Sequence, residues 1–176
     1  MTAQSGDGPL RDGFFFSVGS GAASVSASCD GCTNDFFENR ITGFSGNLQL
    51  GGSVSDRLVI AGEFSGWLGN EPPIYRRTAA LSLVLIGYPS ATSRFFFKSG
   101  VGAIRAIAED DAVIVQTDAF LFQSGIGYDF PVRENSLTAY ANYHWTFGGT
   151  TWVNSFNSPI VVLPNAIQFG LAFTVY

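Results

Sequence analysis

Few residues of this chain have side chains that could do chemistry, and they lie far apart. Glu63 and Lys98 stand in the middles of two segments whose apolar and polar residues alternate, each on the polar side. An acid and a base placed so can meet across an enclosed space. There they form either a structural ion pair that fixes the packing or a gate in a solute path. His144 is the only histidine and lies in YANYHWTFGG, with Asn142 and Thr146 on the same face. A histidine base needs an aligned nucleophile and a third group to orient its ring. No such motif accompanies His144, so its expected role is a hydrogen-bonded filler. Cys29-Asp30-Gly31-Cys32 is a C-x-x-C. It lacks the βαβ context of a thioredoxin-like motif and the two further ligands of a zinc site. A local disulfide on an oxidising surface is the favoured reading. No catalytic, cofactor-binding or metal-binding set can be assembled from the sequence.

The elements that must position these residues follow from composition and periodicity. The chain has 176 residues, enough for one domain with a sizeable core. Charged residues are 13% of it, against ~25% in an ordinary soluble domain. Aromatics reach 15%, with 17 Phe. No run of ~18 apolar residues exists, so no transmembrane helix is expected; the longest stretch, Leu81 to Tyr88, is interrupted by Ser82. Net charge is -5 and the nine basic residues are scattered, which argues against nucleic acid as a partner. The start, MTAQSGDGPLRDG, lacks the basic and apolar regions of a signal peptide. An exported chain is therefore expected to be in its mature form, with residues 1–10 a flexible tail.

Period-2 alternation recurs along the rest, with turn residues between segments. Strands are expected at about Gly13–Ala27, Arg40–Val54, Leu58–Leu68, Thr78–Tyr88, Arg94–Ile107, Thr117–Phe130, Ser136–Gly148 and Pro164–Tyr176. In the first, the phase is expected to slip near Ser20 to Ala22, where glycine permits a bulge. Short links after Val54, Tyr88 and Phe130 alternate with longer ones at Ser28–Asn39, Gly69–Arg77, Ala108–Gln116 and Gly149–Pro164. That layout is an up-and-down antiparallel barrel, residues 11–176, with tight turns at one end and larger loops at the other.

The two faces decide which barrel. One face carries Phe44, Leu48, Leu83, Val101, Phe120, Phe122, Leu171 and Phe173; the other carries Gly, Ser, Ala, Thr, Asn and Gln, with few charges. A water-facing surface would carry many Lys and Glu. Small neutral residues suit a narrow interior where side chains fit together, as in an eight-stranded barrel. The expected lumen therefore holds the Glu63–Lys98 pair with Asn47, Gln123, Tyr140, His144 and Gln168. The apolar face meets lipid, in an all-β, eight-stranded transmembrane barrel. The competing arrangement is a soluble lipocalin-like ligand binder with its apolar face inside. Phe14, Tyr88, Phe95, Tyr128, Phe130 and Tyr176 near the short turns, and Trp67, Tyr143, Trp145 and Phe147 towards the loops, are expected to form two interfacial belts.

The last strand closes on Gln168-x-Gly170-x-x-Phe173-x-Val175, followed by Tyr176. This resembles the C-terminal assembly signal of bacterial outer-membrane β-barrels, with one residue beyond the last hydrophobic position. With stretches such as YPSATSRFFFKSGVG and QSGIGYDFPV, the chain from about Arg11 onward resembles the small outer-membrane barrel family that includes the OmpA-type transmembrane domain. The resemblance implies outer-membrane residence in a Gram-negative-type bacterium. It also implies contact with lipid and lipopolysaccharide, and handling by the barrel-assembly machinery. It leaves molecular activity open. The expected role is non-enzymatic: a structural protein of the cell envelope that displays surface loops. The alternatives are an OmpW-like channel for small or hydrophobic solutes and an enzyme that modifies lipid A. Trp152 and Phe156, in the unusually apolar last loop, are the candidate partner contacts. Glu109-Asp110-Asp111 reads as a solvated acidic loop, or as a site for a divalent cation bridging lipopolysaccharide. A free-thiol assay on unreduced protein is expected to detect no thiols from Cys29 and Cys32; two thiols would remove the disulfide.

Overall fold

A computed structural model describes residues 13–29, 40–71, 74–109, 112–154, 156–158 and 161–176. The N-terminal tail, Cys32, Asp110, Asp111 and the side chains of Cys29 and Phe156 lie outside the described residues. The strands are β1 (Phe14–Cys29), β2 (Ile41–Ser55), β3 (Leu58–Glu71), β4 (Ile74–Gly87), β5 (Phe95–Glu109), β6 (Ile114–Val132), β7 (Asn135–Val153), β8 (Phe156–Ser158) and β9 (Val162–Val175). Each pairs antiparallel with its neighbours. β6 pairs β7, β7 pairs β9, and β9 pairs β1, which closes the sheet into a barrel of eight strands. The short β8 only extends the loop end of β7. Closure leaves no barrel edge, which hydrocarbon requires because an unpaired backbone group there costs several kcal/mol.

The orientation follows the alternation. Leu48, Phe64, Leu83, Val101, Phe120, Phe122, Leu171 and Phe173 all face outward, and Leu83 keeps 58% of its surface exposed. Their partners in alternation, such as Ser45, Glu63, Ser82 and Gln123, are buried. On β3 the outward row runs from Leu58 to Leu68. At about 3.3 Å per residue and a tilt near 40°, such a row spans about 25 Å, the height of an outer-membrane apolar band.

Three expectations change. β1 keeps one phase throughout: its register with β2 is continuous from Phe14 to Val25, so Ala23 and Val25 face inward and Ser20 and Ala22 outward. Gly21 inserts no extra residue; it lets the backbone of β9 come close, since a Cβ there would lie 2.6 Å from the Gly170 Cα. The irregularities sit elsewhere, between Ser53 and Ser55 in β2 and at Ala119/Phe120 beside β7, where Gly148 takes φ +50. Second, the described parts of the links at 69–77, 108–116 and 149–164 are mostly strand. β3 and β4 continue to Glu71 and Ile74, and β6 and β7 have 19 residues each. Ladder pairing continues past the apolar band because the same hydrogen bonds are available there. Third, the belts lose members. Trp67, Tyr88 and Tyr176 turn inward by the parity of their strands, while Tyr143, Trp145 and Phe147 remain outside.

The outward row predicts a depth-dependent penalty. Leu83→Arg is expected to cost about 2–4 kcal/mol in equilibrium unfolding from lipid vesicles. A change within a few tenths of a kcal/mol would mean that Leu83 meets water.

Candidate functional site: the barrel lumen

The inward rows of eight strands converge on a narrow space, and packing there is arranged by pairing large residues with glycine. Gln123 faces Gly100 across the β5–β6 ladder, Phe96 faces Gly127, Asn142 faces Gly125 and Tyr140 faces Gly170. A Cβ on Gly100 would sit 3.0 Å from the Gln123 Nε2, and one on Gly127 would overlap the Phe96 ring, 2.7 Å from its Cε1 and nearer still to its Cζ. These positions take glycine because the opposite side chain already occupies the volume. The lumen is filled rather than open, as expected for this strand number.

Its contents form three layers. Nearest the short turns, Phe15, Val59, Ala61, Val84, Ile86, Tyr88 and Phe96 cluster, with Tyr176 packed against them. Beside this layer Asp129 accepts hydrogen bonds from the Tyr88 hydroxyl at 2.9 Å and the Thr138 hydroxyl at 2.6 Å. The middle layer is polar. The Lys98 Nζ lies 2.5 Å from Oε2 of Glu63, and the Gln49 carboxamide donates to the same oxygen. Glu63 is 0% exposed and Lys98 5%. The Tyr140 hydroxyl donates to Asn47 at 3.1 Å, Asn142 donates to Gln168 at 3.2 Å, and Thr174 donates to Ser17 at 2.9 Å. Gln123 and His144 stand opposite one another on the β6–β7 ladder, both buried. Towards the loops lies a second apolar layer of Ala23, Val25, Ile41 and Trp67, continued by Ala80, Ile104, Ala119 and Leu121. Trp67 donates its indole N–H to the Ala23 carbonyl at 2.8 Å.

The spaces left between these side chains are small. A cavity of about 40 Å³ lies below the ion pair, lined by Asn47, Gln49, Lys98, Asp129 and Tyr140 among others. One of about 20 Å³ lies above it, beside His144 and Gln168. Among the described residues no group of three or more potential ligands could hold a metal ion.

Asn47, Glu63, Lys98, Gln123, Tyr140, His144 and Gln168 all lie buried on inward rows. Gln49, Asp129, Tyr88 and Trp67 belong to the lumen too. Their signal was parity alone: Asp129 is in phase with Gln123, Tyr88 with Ser82, and Trp67 with Glu63. In the terminal segment Gln168 is buried, Gly170 faces Tyr140, and Phe173 and Val175 point outward. Trp152 is half-buried on the loop end of β7. Glu109 pairs with Arg77 at 3.5 Å, and on the neighbouring strands Arg105 grips Asp118 through two hydrogen bonds at 2.6 and 2.9 Å.

Breaking one half of the buried pair leaves an uncompensated charge, whereas removing both does not. Lys98→Met is expected to destabilise the barrel by about 3–5 kcal/mol. The double variant Glu63→Gln/Lys98→Met should recover most of that loss in the same unfolding assay. Equal instability of the two would show that the pair acts through volume, not charge.

No protein-family model and no curated protein sequence matches the chain. Solved structures match in fold. Neisserial surface protein A, NspA, aligns with TM-score 0.58 at 15% identity over 91% of this chain and 96% of its own. Ail, the attachment invasion locus protein of Yersinia pestis, aligns with TM-score 0.58 at 14% identity, covering 93% and 99%. The outer membrane protein OprG of Pseudomonas aeruginosa aligns with TM-score 0.58 at 13% identity, covering 97% and 99%. With its closed antiparallel sheet, apolar exterior and filled lumen, the chain has the fold of the small bacterial outer-membrane β-barrels.

Proposed function

We propose that the chain is a non-enzymatic integral protein of the outer membrane, a plugged barrel that anchors and presents its loop-side surface. The observation that carries this reading is the side-chain-filled lumen. A polar layer built on Glu63 and Lys98 lies between two apolar layers, and the cavities around it are about 40 and 20 Å³. A space of ~10–15 Å³ takes one water, so each of these two cavities has room for only a few waters, which favours a plugged lumen over a solute path. The ion pair then serves as a packing element in a neutral, desolvated layer, and the gate is the secondary reading.

Two further features favour this role over catalysis. His144 is 6% exposed and lies on the inward face of β7, so a lipid ester at the outer wall does not reach it. Its ladder partners are Gln123 and Ala166, neither of them a nucleophile. The partners proposed are lipid and lipopolysaccharide at the outer wall, and the barrel-assembly machinery reading Gln168, Gly170, Phe173, Val175 and Tyr176. A surface partner would meet the loop end near Trp152 and Phe156. NspA, Ail and OprG support outer-membrane residence through their shared fold only.

Planar-bilayer recording tests the reading. The wild-type chain should give no stepwise conductance, and Glu63→Gln should leave that baseline unchanged. Steps in the wild type would favour a solute path, and steps that appear only in the variant would restore the gate.

A further inference from the structure

We propose that the cavity between Ser45, Ser65, His144 and Gln168 is a binding site for one water molecule, which joins the His144 imidazole to the Ser45 hydroxyl. The cavity measures about 20 Å³ and is walled on the loop side by Trp67, Ile104 and Pro164. Ser45 is 1% exposed and His144 6%, and both line this space. Neither the Ser45 Oγ nor the His144 Nε2 has a hydrogen-bond partner. Buried polar atoms are almost always partnered, because each one left bare has lost its bulk solvation without replacement.

The chemistry of the ligand follows from the walls. Glu63 and Lys98, the charged groups nearest His144, engage one another, so the layer has no net charge to compensate. An ion would add an unpaired charge to a desolvated interior. The ligand is therefore neutral. It must also donate and accept, since imidazole and hydroxyl groups present both functions. The volume of about 20 Å³ exceeds the ~10–15 Å³ that one water needs and leaves little space for a second. Water alone meets all three conditions. Bound there, it gives the ring nitrogen a partner inside the barrel and makes His144 a fixed part of the lumen packing. This inference does not depend on whether any solute passes the barrel.

Nuclear Overhauser measurements on the full chain, folded in deuterated detergent micelles with labelled histidine, test it. The single histidine makes the assignment unambiguous. A through-space contact between water and the carbon-bound ring protons, with the sign of a long-lived bound molecule, is expected in the wild type. Ser45→Val, whose methyl groups fill the cavity, is expected to abolish it while the compact heat-modifiable gel band persists. If Ser45→Val does not fold, Ser45→Ala removes the hydroxyl without added bulk and is expected to weaken the contact. Ser65→Ala controls for exchange relayed through that second hydroxyl and is expected to keep it. Absence of the contact in the folded wild type overturns the proposal, as does a contact undiminished when Ser45 is replaced or lost in Ser65→Ala.

Discussion

Closure of the sheet governs everything else in this molecule. In hydrocarbon no solvent can satisfy a bare N–H or C=O, so every barrel strand needs two partners. The seam between β1 and β9 supplies the last pairings, from Phe16↔Val175 through to Cys29↔Val162. Once eight strands close, the radius is set, and the interior has room for side chains but for little else. The terminal segment therefore carries small neutral groups on one face. Gly170, Ala172 and Thr174 pack inside while Phe169, Leu171 and Phe173 meet lipid.

The narrow interior explains both the glycines and the ion pair. Gln123, Phe96 and Tyr140 need relief on the strand beside them, which Gly100, Gly127 and Gly170 provide. A desolvated acid such as Glu63 needs a cation within reach, and Lys98 and Gln49 converge on one of its oxygens. The pair is weak evidence for stability, because desolvation offsets most of the Coulombic gain. What the pair does geometrically is join β3 to β5 through the centre of the barrel. The apolar layers on either side keep that centre dry enough for the pairing to persist.

Beyond the apolar band the same ladders continue, now flanked by exposed ion pairs such as Arg105–Asp118. Exposed pairs of this kind contribute little stability, with a typical value of about 0–1 kcal/mol. Their position matters more. Charges on the outer wall appear where the lipid-facing rows end, which marks the loop-side limit of the buried band.

The alternation of apolar and small polar residues, the scarcity of charge and the turn spacing by themselves determined an eight-stranded membrane barrel and the inward placement of Glu63, Lys98 and His144. Those features are local: parity along a strand decides which face a residue takes. Parity would also have turned Trp67 and Tyr88 inward, but aromatic character near strand ends pointed to belts instead. The phase of β1, the length of the strands beyond the membrane and the partners of each lumen side chain were decided only by tertiary structure. Register between strands, barrel stagger and glycine-to-bulk matching join residues as distant as Ser17 and Thr174. No periodicity within one segment encodes such contacts, because they depend on how all eight strands close together.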